Sequence, residues 1–73
     1  MKTTMRRTVN TKERYYTIEL IVNLFGDALL IRSFGSVNRI KPTGVISQTC
    51  KDLKEAMEIM NALIHAKRKR GYE

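Results

Sequence analysis

The stretch RYYTIELIVNLFGDALLIRSF, residues 14–34, decides the fold of this chain. It holds two runs, residues 16–22 and residues 28–34, in which apolar side chains recur at every second position, with Arg32 as the exception in the second run. That period is typical of β-strands that bury one face. The turn-forming sequence NLFGD, residues 23–27, separates the two runs. Two such runs joined by a short link containing glycine predict an antiparallel hairpin.

The sequence after the hairpin predicts a loop, a strand and a helix. Residues 35–44 (GSVNRIKPTG) are rich in glycine and contain the one proline, which favours a loop. VISQTC, residues 45–50, follows as a third long strand at an edge of the sheet. Apolar residues then recur at helical spacing up to about Arg70, with Asp52 and Glu55 as the N-terminal cap and its partner, and Gly71 as the stop. The predicted core face of the helix comprises Leu53, Ala56, Met57, Met60, Leu63 and Ile64.

These elements predict an α+β fold, a small twisted antiparallel sheet with one C-terminal helix packed across it. Residues 1–12 are polar, basic and rich in threonine, so we predict a flexible basic arm there and a single domain over residues 13–73. The lone cysteine, Cys50, excludes an internal disulfide and is predicted to be a small buried hydrophobe. The basic N-terminus has no apolar segment typical of a signal peptide, so a cytoplasmic location is expected.

Charge is concentrated at the two ends of the chain. The net charge is +7, and residues 13–66 contain equal numbers of positive and negative side chains. The excess comes from residues 1–12 and from the run KRKR at residues 67–70. Such an excess favours polyanions, above all nucleic acid. A membrane is not expected as a partner, because the basic segments lack the interleaved apolar residues that insert into lipid.

No motif in the chain indicates catalysis. One cysteine and one histidine cannot close a zinc site, and neither a P-loop nor a dinucleotide-binding fingerprint is present. The lone His65 near the edge of the helix is more typical of a solvated or structural side chain. We therefore predict a protein that is not an enzyme and that needs no cofactor and no metal.

Two features suggest a binding surface, and each has a plainer explanation. Cations in the last helical turn are favoured by the helix dipole, but four in a row repel one another and suit phosphate contacts better. Phe34 can belong to the core, or it can stack on a sugar or base beside Arg32, with Gly35 allowing close approach.

The order of these motifs resembles the WGR domain family, especially its short bacterial stand-alone members. A Tyr-rich strand is followed by NLFGDALLIRSFG (residues 23–35), a helix, and KRKRGYE (residues 67–73). The Trp-Gly-Arg triplet that names the family corresponds to Phe34, Gly35 and Ser36, so the triplet is degenerate here. A glycine that usually follows two residues later corresponds to Asn38, which also tolerates positive φ.

The resemblance implies a fold of one antiparallel sheet with one helix packed on it. In poly(ADP-ribose) polymerase members, this domain helps to grip DNA ends, with the tryptophan packed on a terminal sugar and the arginine beside it. By that analogy Phe34 keeps the stacking role, whereas Ser36 cannot supply a guanidinium. Arg32 or Arg39 is the available replacement.

The sequence thus predicts a non-catalytic nucleic-acid-binding module, for DNA rather than RNA, that acts largely without reading base sequence. It would use its basic termini and an exposed aromatic loop at Phe34 and Gly35. The alternative is a protein-interaction or assembly module with no nucleic-acid role, which pairs with another protein or with itself through an edge strand. The predicted nucleic-acid-binding residues are Arg32, Phe34, Gly35, Arg39, Lys41, Lys67, Arg68, Lys69 and Arg70.

Overall fold

The computed structural model describes residues 1–73 and contains four strands and one helix. The elements are β1 (Lys2–Val9), β2 (Lys12–Val22), β3 (Ala28–Ser36), β4 (Gly44–Cys50) and α1 (Leu53–Lys69). The strands form one sheet in the order β1-β2-β3-β4, and every neighbouring pair is antiparallel. The helix packs across one face of this sheet. The predicted α+β architecture is therefore confirmed, as is the edge position of the strand that contains VISQTC.

The N-terminal segment differs from its prediction. Residues 2–9 do not form a flexible arm, because they pair with residues 12–19 of β2 along the whole of β1. The turn between these strands uses Asn10 and Thr11, both with positive φ. The two threonines Thr4 and Thr17 also approach each other across the strands, with hydroxyl oxygens 3.4 Å apart. Threonine and valine favour strands, and pairing with β2 outweighs the low hydrophobicity of this segment. The domain thus includes the residues that were predicted to lie outside it.

The link between β2 and β3 is a closed turn organised by Asn23. The Asn23 Oδ1 atom accepts hydrogen bonds from the amides of Phe25 and Asp27, both at 2.9 Å. Gly26 takes a φ of 85°, a left-handed conformation that suits glycine. Leu24 and Phe25 extend from this turn into solvent. The hairpin and its turn-forming residues were predicted correctly. Leu24 and Phe25 are apolar but form no part of the core.

The core lies between the helix and one face of the sheet. Its buried members are Met5, Tyr16, Ile18, Leu20, Ala28, Leu30, Cys50, Ala56 and Met60. Cys50 is buried as a free thiol, as predicted. Leu53 and Met57 are instead 46% and 40% exposed. The helix buries the stripe that runs through Ala56 and Met60, and Ile59 packs against the core beside it. Leu53 and Met57 lie at the side of this stripe and are therefore partly exposed to solvent.

Both helix ends carry the predicted caps. The Asp52 carboxylate accepts from the Glu55 amide at 2.8 Å, and the Glu55 carboxylate accepts from the amide of Lys51 at 3.2 Å. At the other end, Gly71 has a φ of 97°, and the amides of Gly71 and Tyr72 donate to the carbonyls of Arg68 and Lys67. This paired arrangement is the Schellman motif, which turns the chain away from the helix axis.

The residues after the helix return to the sheet. The Arg6 amide donates to the Glu73 carbonyl at 3.0 Å, and the Glu73 amide donates to the Arg6 carbonyl at 2.9 Å. The Tyr72 side chain packs against the core cluster next to this pair. The C-terminal end of the chain therefore covers part of the outer edge of β1.

Candidate functional site

The site begins with two aromatic rings on neighbouring strands. Tyr16 of β2 lies opposite Phe34 of β3, and their rings stack with centroids 6.2 Å apart and planes 15° apart. Tyr72 meets the Tyr16 ring edge-on at 6.1 Å. Phe34 is half-buried and packs against the core cluster. The ring therefore packs against the core as one reading of the sequence expected, and part of its surface stays accessible, while its stacking on a sugar or base stays a prediction.

Phe34 and Gly35 lie within strand β3, so the prediction of an aromatic loop is wrong on this point. Gly35 is buried, and the main chain of Thr43 and Pro42 crosses close above it. A Cβ at position 35 would lie 2.9 Å from the Thr43 amide nitrogen. The glycine is therefore explained by the close approach of this chain segment, not by access for a ligand.

Cations surround the aromatic rings. The Lys67 ammonium lies 4.4 Å from the centroid of the Tyr16 ring and 5.6 Å from that of Tyr72. The Arg7 guanidinium lies 5.3 Å from the centroid of the Tyr72 ring. Arg7 also donates a hydrogen bond from Nη1 to the carbonyl of Arg70. Helix α1, strand β1 and the C-terminal residues thus converge on one point of the sheet face.

Two adjoining hollows of about 360 Å³ and about 250 Å³ open at this point. They share Tyr16, Phe34, Lys67 and Arg70, and we call them together the aromatic–cationic pocket. Its lining residues are Arg7, Arg14, Tyr16, Arg32, Phe34, Gly35, Ile46, Leu63, Ala66, Lys67, Arg70 and Tyr72.

No carboxylate balances the cations of this pocket. None of its lining residues is acidic, and the one ion pair in the protein, Arg6 with Glu13 at 3.8 Å, is exposed at the surface. Desolvation lowers the pKa of Lys67 below its ordinary value of 10.5, and the nearby charges of Arg70, Arg32 and Arg7 lower it further. Such crowding disfavours the charged form of Lys67 until an anion compensates it.

Three buried polar atoms of the pocket have no hydrogen-bond partner. They are the Nε atoms of Arg7 and Arg32 and the hydroxyl oxygen of Tyr16. Buried polar groups are normally paired, because leaving one unpaired costs about 1–3 kcal/mol. All three atoms lie around one carboxylate-free pocket, and the two guanidinium Nε–H groups among them are unused hydrogen-bond donors.

A third hollow, of about 590 Å³, lies beside the aromatic–cationic pocket and shares Arg14 with it. Its lining is polar and basic, and comprises Val9, Asn10, Lys12, Arg14, Ser36, Asn38, Arg39 and Thr43. We call it the basic hollow. Arg14 therefore connects two positively charged depressions at the same end of the sheet.

The structure brings together some of the predicted site residues and separates others. Arg32, Phe34, Gly35, Lys67 and Arg70 all line the aromatic–cationic pocket. Arg39 lines the basic hollow. Lys41, Arg68 and Lys69 are exposed and line neither depression.

Seven pocket residues did not come from the sequence prediction, and the charged and aromatic ones among them are Arg7, Arg14, Tyr16 and Tyr72. Arg7 was assigned to a flexible arm, although it lies midway between the apolar residues Met5 and Val9 in a threonine-rich stretch, and this even spacing is a weak strand signal. Arg14 and Tyr16 continue the alternation of β2 that was already recognised. Tyr72 carries no comparable signal, because its position depends on the turn at Gly71.

The structure contains no group of three or more His, Cys, Asp or Glu side chains that could hold a metal ion. The single helix is neither long enough nor apolar enough to cross a membrane.

Comparison with known proteins gives one finding. A family model described as WGR domain matches residues 1–73, the whole of this chain. No curated protein and no solved structure matches the chain significantly.

Proposed function

This chain belongs to the WGR domain family, and from that premise we propose that it is a non-catalytic module that binds DNA, largely without reading base sequence. WGR domains are in general nucleic-acid-binding modules without catalytic activity. In this chain we assign the binding to the aromatic–cationic pocket and the adjacent basic hollow.

One observation carries the proposal. The side chains of Arg7, Arg14, Arg32, Lys67 and Arg70 line a pocket that contains no acidic residue. Folding them together costs free energy, since burial removes water from Lys67 and like charges repel, and both effects lower the pKa of Lys67. Phosphate groups are the anions that nucleic acids present in quantity, and Lys and Arg are their usual partners.

The aromatic residues support a nucleotide over an isolated phosphate. The half-buried ring of Phe34 lies at the wall of the pocket, where a sugar or base can pack against its exposed part. Phe34 already stacks on Tyr16, so its contribution is a fixed apolar surface and not a freely rotating platform. In this proposal Phe34 takes the stacking role that the tryptophan has in the poly(ADP-ribose) polymerase members of the family.

The basic hollow extends the surface beyond one phosphate. Arg14 separates the two depressions, and Lys12 and Arg39 lie on its far side. A nucleic-acid strand that enters the aromatic–cationic pocket can therefore place its next phosphates along Arg14 and Arg39. Contacts of this kind position the strand and carry no sequence information. That property is the basis for proposing sequence-independent binding.

The test uses the four consecutive cations at the end of α1. Lys67 and Arg70 line the pocket, whereas Arg68 and Lys69 are exposed outside it. The double variant Lys67→Met, Arg70→Gln and the double variant Arg68→Gln, Lys69→Gln remove the same charge from the same helix end. Affinity is measured for blunt and 5′-phosphorylated duplexes, single-stranded DNA and RNA over a salt series.

We expect the wild-type protein to bind DNA with a log affinity that falls with log salt at a slope of about −5, which corresponds to about six neutralised phosphates. The pocket variant should lose at least about tenfold in affinity, and the outward variant should lose about threefold or less. Equal losses in the two variants would show a diffuse basic patch and reject the pocket. A slope near zero, or stronger binding to RNA than to every DNA, would contradict the proposal for DNA.

A further inference from the structure

The two edges of the sheet are protected to different degrees. The outer strand β1 carries Lys2, Arg6 and Arg7, and the main chain of Arg6 is already paired with Glu73. The other outer strand, β4, has the sequence GVISQTC, which contains no charged residue and no proline. It pairs with β3 on one side, and no strand pairs with its other edge. Natural sheets usually protect their edges with charged residues, proline or covering segments, because an open edge pairs with other strands.

The exposed side chains of β4 also suit pairing. Val45 is 56% exposed and Ile46 is 41% exposed, one on each face of the sheet. Ser47 and Thr49 share the face of Val45, away from the helix. β-Branched and hydroxyl side chains at neighbouring positions are favourable partners across an antiparallel strand pair. Strand β4 is therefore open to pairing through its main chain and its side chains.

We propose that β4 pairs antiparallel with β4 of a second copy of this chain, so that two sheets join into one of eight strands. Full overlap of residues 44–50 in both copies centres the register on Ser47, which then faces Ser47 of the second copy. In this register Val45 lies opposite Thr49, and Ile46 lies opposite Gln48. In this register the helix-facing sides of the two sheets lie on the same side of the joined sheet.

Charge complementarity favours a second copy in this orientation. Gly44 lies at the end of the sheet that holds Phe34 and the aromatic–cationic pocket. Cys50 lies at the opposite end and leads into the start of α1, where residues 51–58 contain three carboxylates and two lysines, so that negative charge is in excess by one. Antiparallel pairing places the cationic end of one copy beside the acidic helix start of the other. Parallel pairing would bring the two cationic ends together, which costs free energy.

The arrangement has a geometric consequence. A two-fold axis perpendicular to the sheet keeps both helices on one face, so both pockets open on the same side. With strands about 4.8 Å apart and a rise of about 3.4 Å per residue, the two pockets are separated by roughly 30 Å. The strand pairing itself does not depend on nucleic-acid binding, so it can be tested with no ligand present.

The test measures molecular mass by sedimentation equilibrium from about 10 μM to about 1 mM, because a seven-residue edge buries less than the ~800 Å² per partner of a typical stable interface. The full chain is compared with the variants Ser47→Lys and Ser47→Glu, which place like charges opposite each other across the two-fold axis. Thr4→Lys is the matched control, because it adds one charge to the same open face at the other edge of the sheet.

We expect a dimer that dissociates on dilution, at least about a tenfold weaker dimer for each Ser47 variant, and no change for Thr4→Lys. An equal mixture of Ser47→Lys and Ser47→Glu should recover dimerisation, because opposite charges then meet. Circular dichroism confirms that each variant is folded. A single-chain mass at every concentration would overturn the proposal. So would a dimer insensitive to Ser47 substitution, or a mixture that fails to recover, because either excludes this register.

Discussion

The ring of Phe34 occupies the space where a side chain at position 44 would begin. The two residues lie opposite each other in β3 and β4, and a Cβ built on Gly44 would lie 2.5 Å from Cζ of Phe34 and 2.8 Å from Cε2. Real Cβ atoms do not approach other atoms so closely. The orientation of Phe34 at the pocket wall therefore depends on the absence of a side chain on the neighbouring strand.

Gly44→Ala is expected to displace the Phe34 ring from its stack on Tyr16. Overpacking of this kind costs about 1–3 kcal/mol in the free energy of unfolding. Denaturant unfolding measures the cost. The same substitution made together with Phe34→Ala should cost much less, because the atoms with which the new methyl group collides are gone. If Gly44→Ala costs the same in both backgrounds, the contact with Phe34 is not its cause.

Lys67→Met is expected to separate stability from binding. The substitution keeps an apolar stem over Tyr16 and removes a charge whose pKa is lowered by burial and by three neighbouring arginines. The free energy of unfolding at neutral pH should stay the same or rise. DNA affinity should fall several-fold, and the salt slope should become shallower by about 1. Chemical denaturation and a salt titration measure the two effects, and loss of stability would contradict the assignment.

The same residue predicts a pH dependence. Because the pKa of Lys67 is lower in the folded protein than its ordinary 10.5, the unfolded chain binds more protons between those two values. Over that alkaline range the stability of the wild-type protein should rise with pH relative to Lys67→Met. DNA phosphates favour the charged form, so the advantage of the wild type in binding should shrink over the same range. A pH-independent difference between the two proteins would reject this explanation.

Removal of Tyr72 and Glu73 is expected to loosen the first strand. Tyr72 packs against Tyr16 and lies next to Arg7, and Glu73 supplies both hydrogen-bond partners of the Arg6 main chain. We expect a loss of about 2 kcal/mol in the free energy of unfolding. In hydrogen exchange, the Arg6 amide should lose more protection than the Leu20 amide. Glu73→Ala is the control, since it keeps the main-chain bonds and should leave Arg6 protected.

Ser36→Arg is expected to strengthen DNA binding. Ser36 lines the basic hollow with Lys12 and Arg39, so a guanidinium there adds a phosphate contact. Affinity should rise several-fold, and the salt slope should become steeper by about 1. Thr4→Arg adds the same charge on the open face of β1 and should have a smaller effect. Equal gains from the two variants would indicate that total charge, and not position, governs binding.

Local patterns were sufficient to predict most of the fold. The hairpin of β2 and β3 follows from alternation and a turn sequence, and the helix follows from its period and its caps at Asp52 and Gly71. The strand β1 was missed because its residues are too polar to indicate burial by themselves. The segment becomes a strand because β2 offers unpaired main-chain groups along its edge, and threonine and valine have sufficient strand propensity to pair with them.

The site was predicted only in part, for a related reason. Arg32 and Phe34 share a strand face, which alternation reveals, and Lys67 and Arg70 belong to a visible basic run. Which of the four cations in that run face the sheet depends on the rotation of α1 about its axis. The sequence placed Leu53 and Met57 on the core face of the helix, but both are partly exposed, so the predicted rotation was not accurate. Arg7 and Tyr72 reach the pocket only because both ends of the chain meet there.

The carboxylate-free pocket links the stability of the fold to its surroundings. A small domain has a low free energy of unfolding, and here the burial of Lys67 and the repulsion among the pocket cations lower it further. Any polyanion that binds the folded state alone shifts the unfolding equilibrium by mass action, by about 2.7 kcal/mol when its free concentration is 100 times the dissociation constant. If nucleic acid binds in the pocket as proposed, the melting temperature of this protein becomes a readout of occupancy, and the folded fraction should rise with the concentration of nucleic acid.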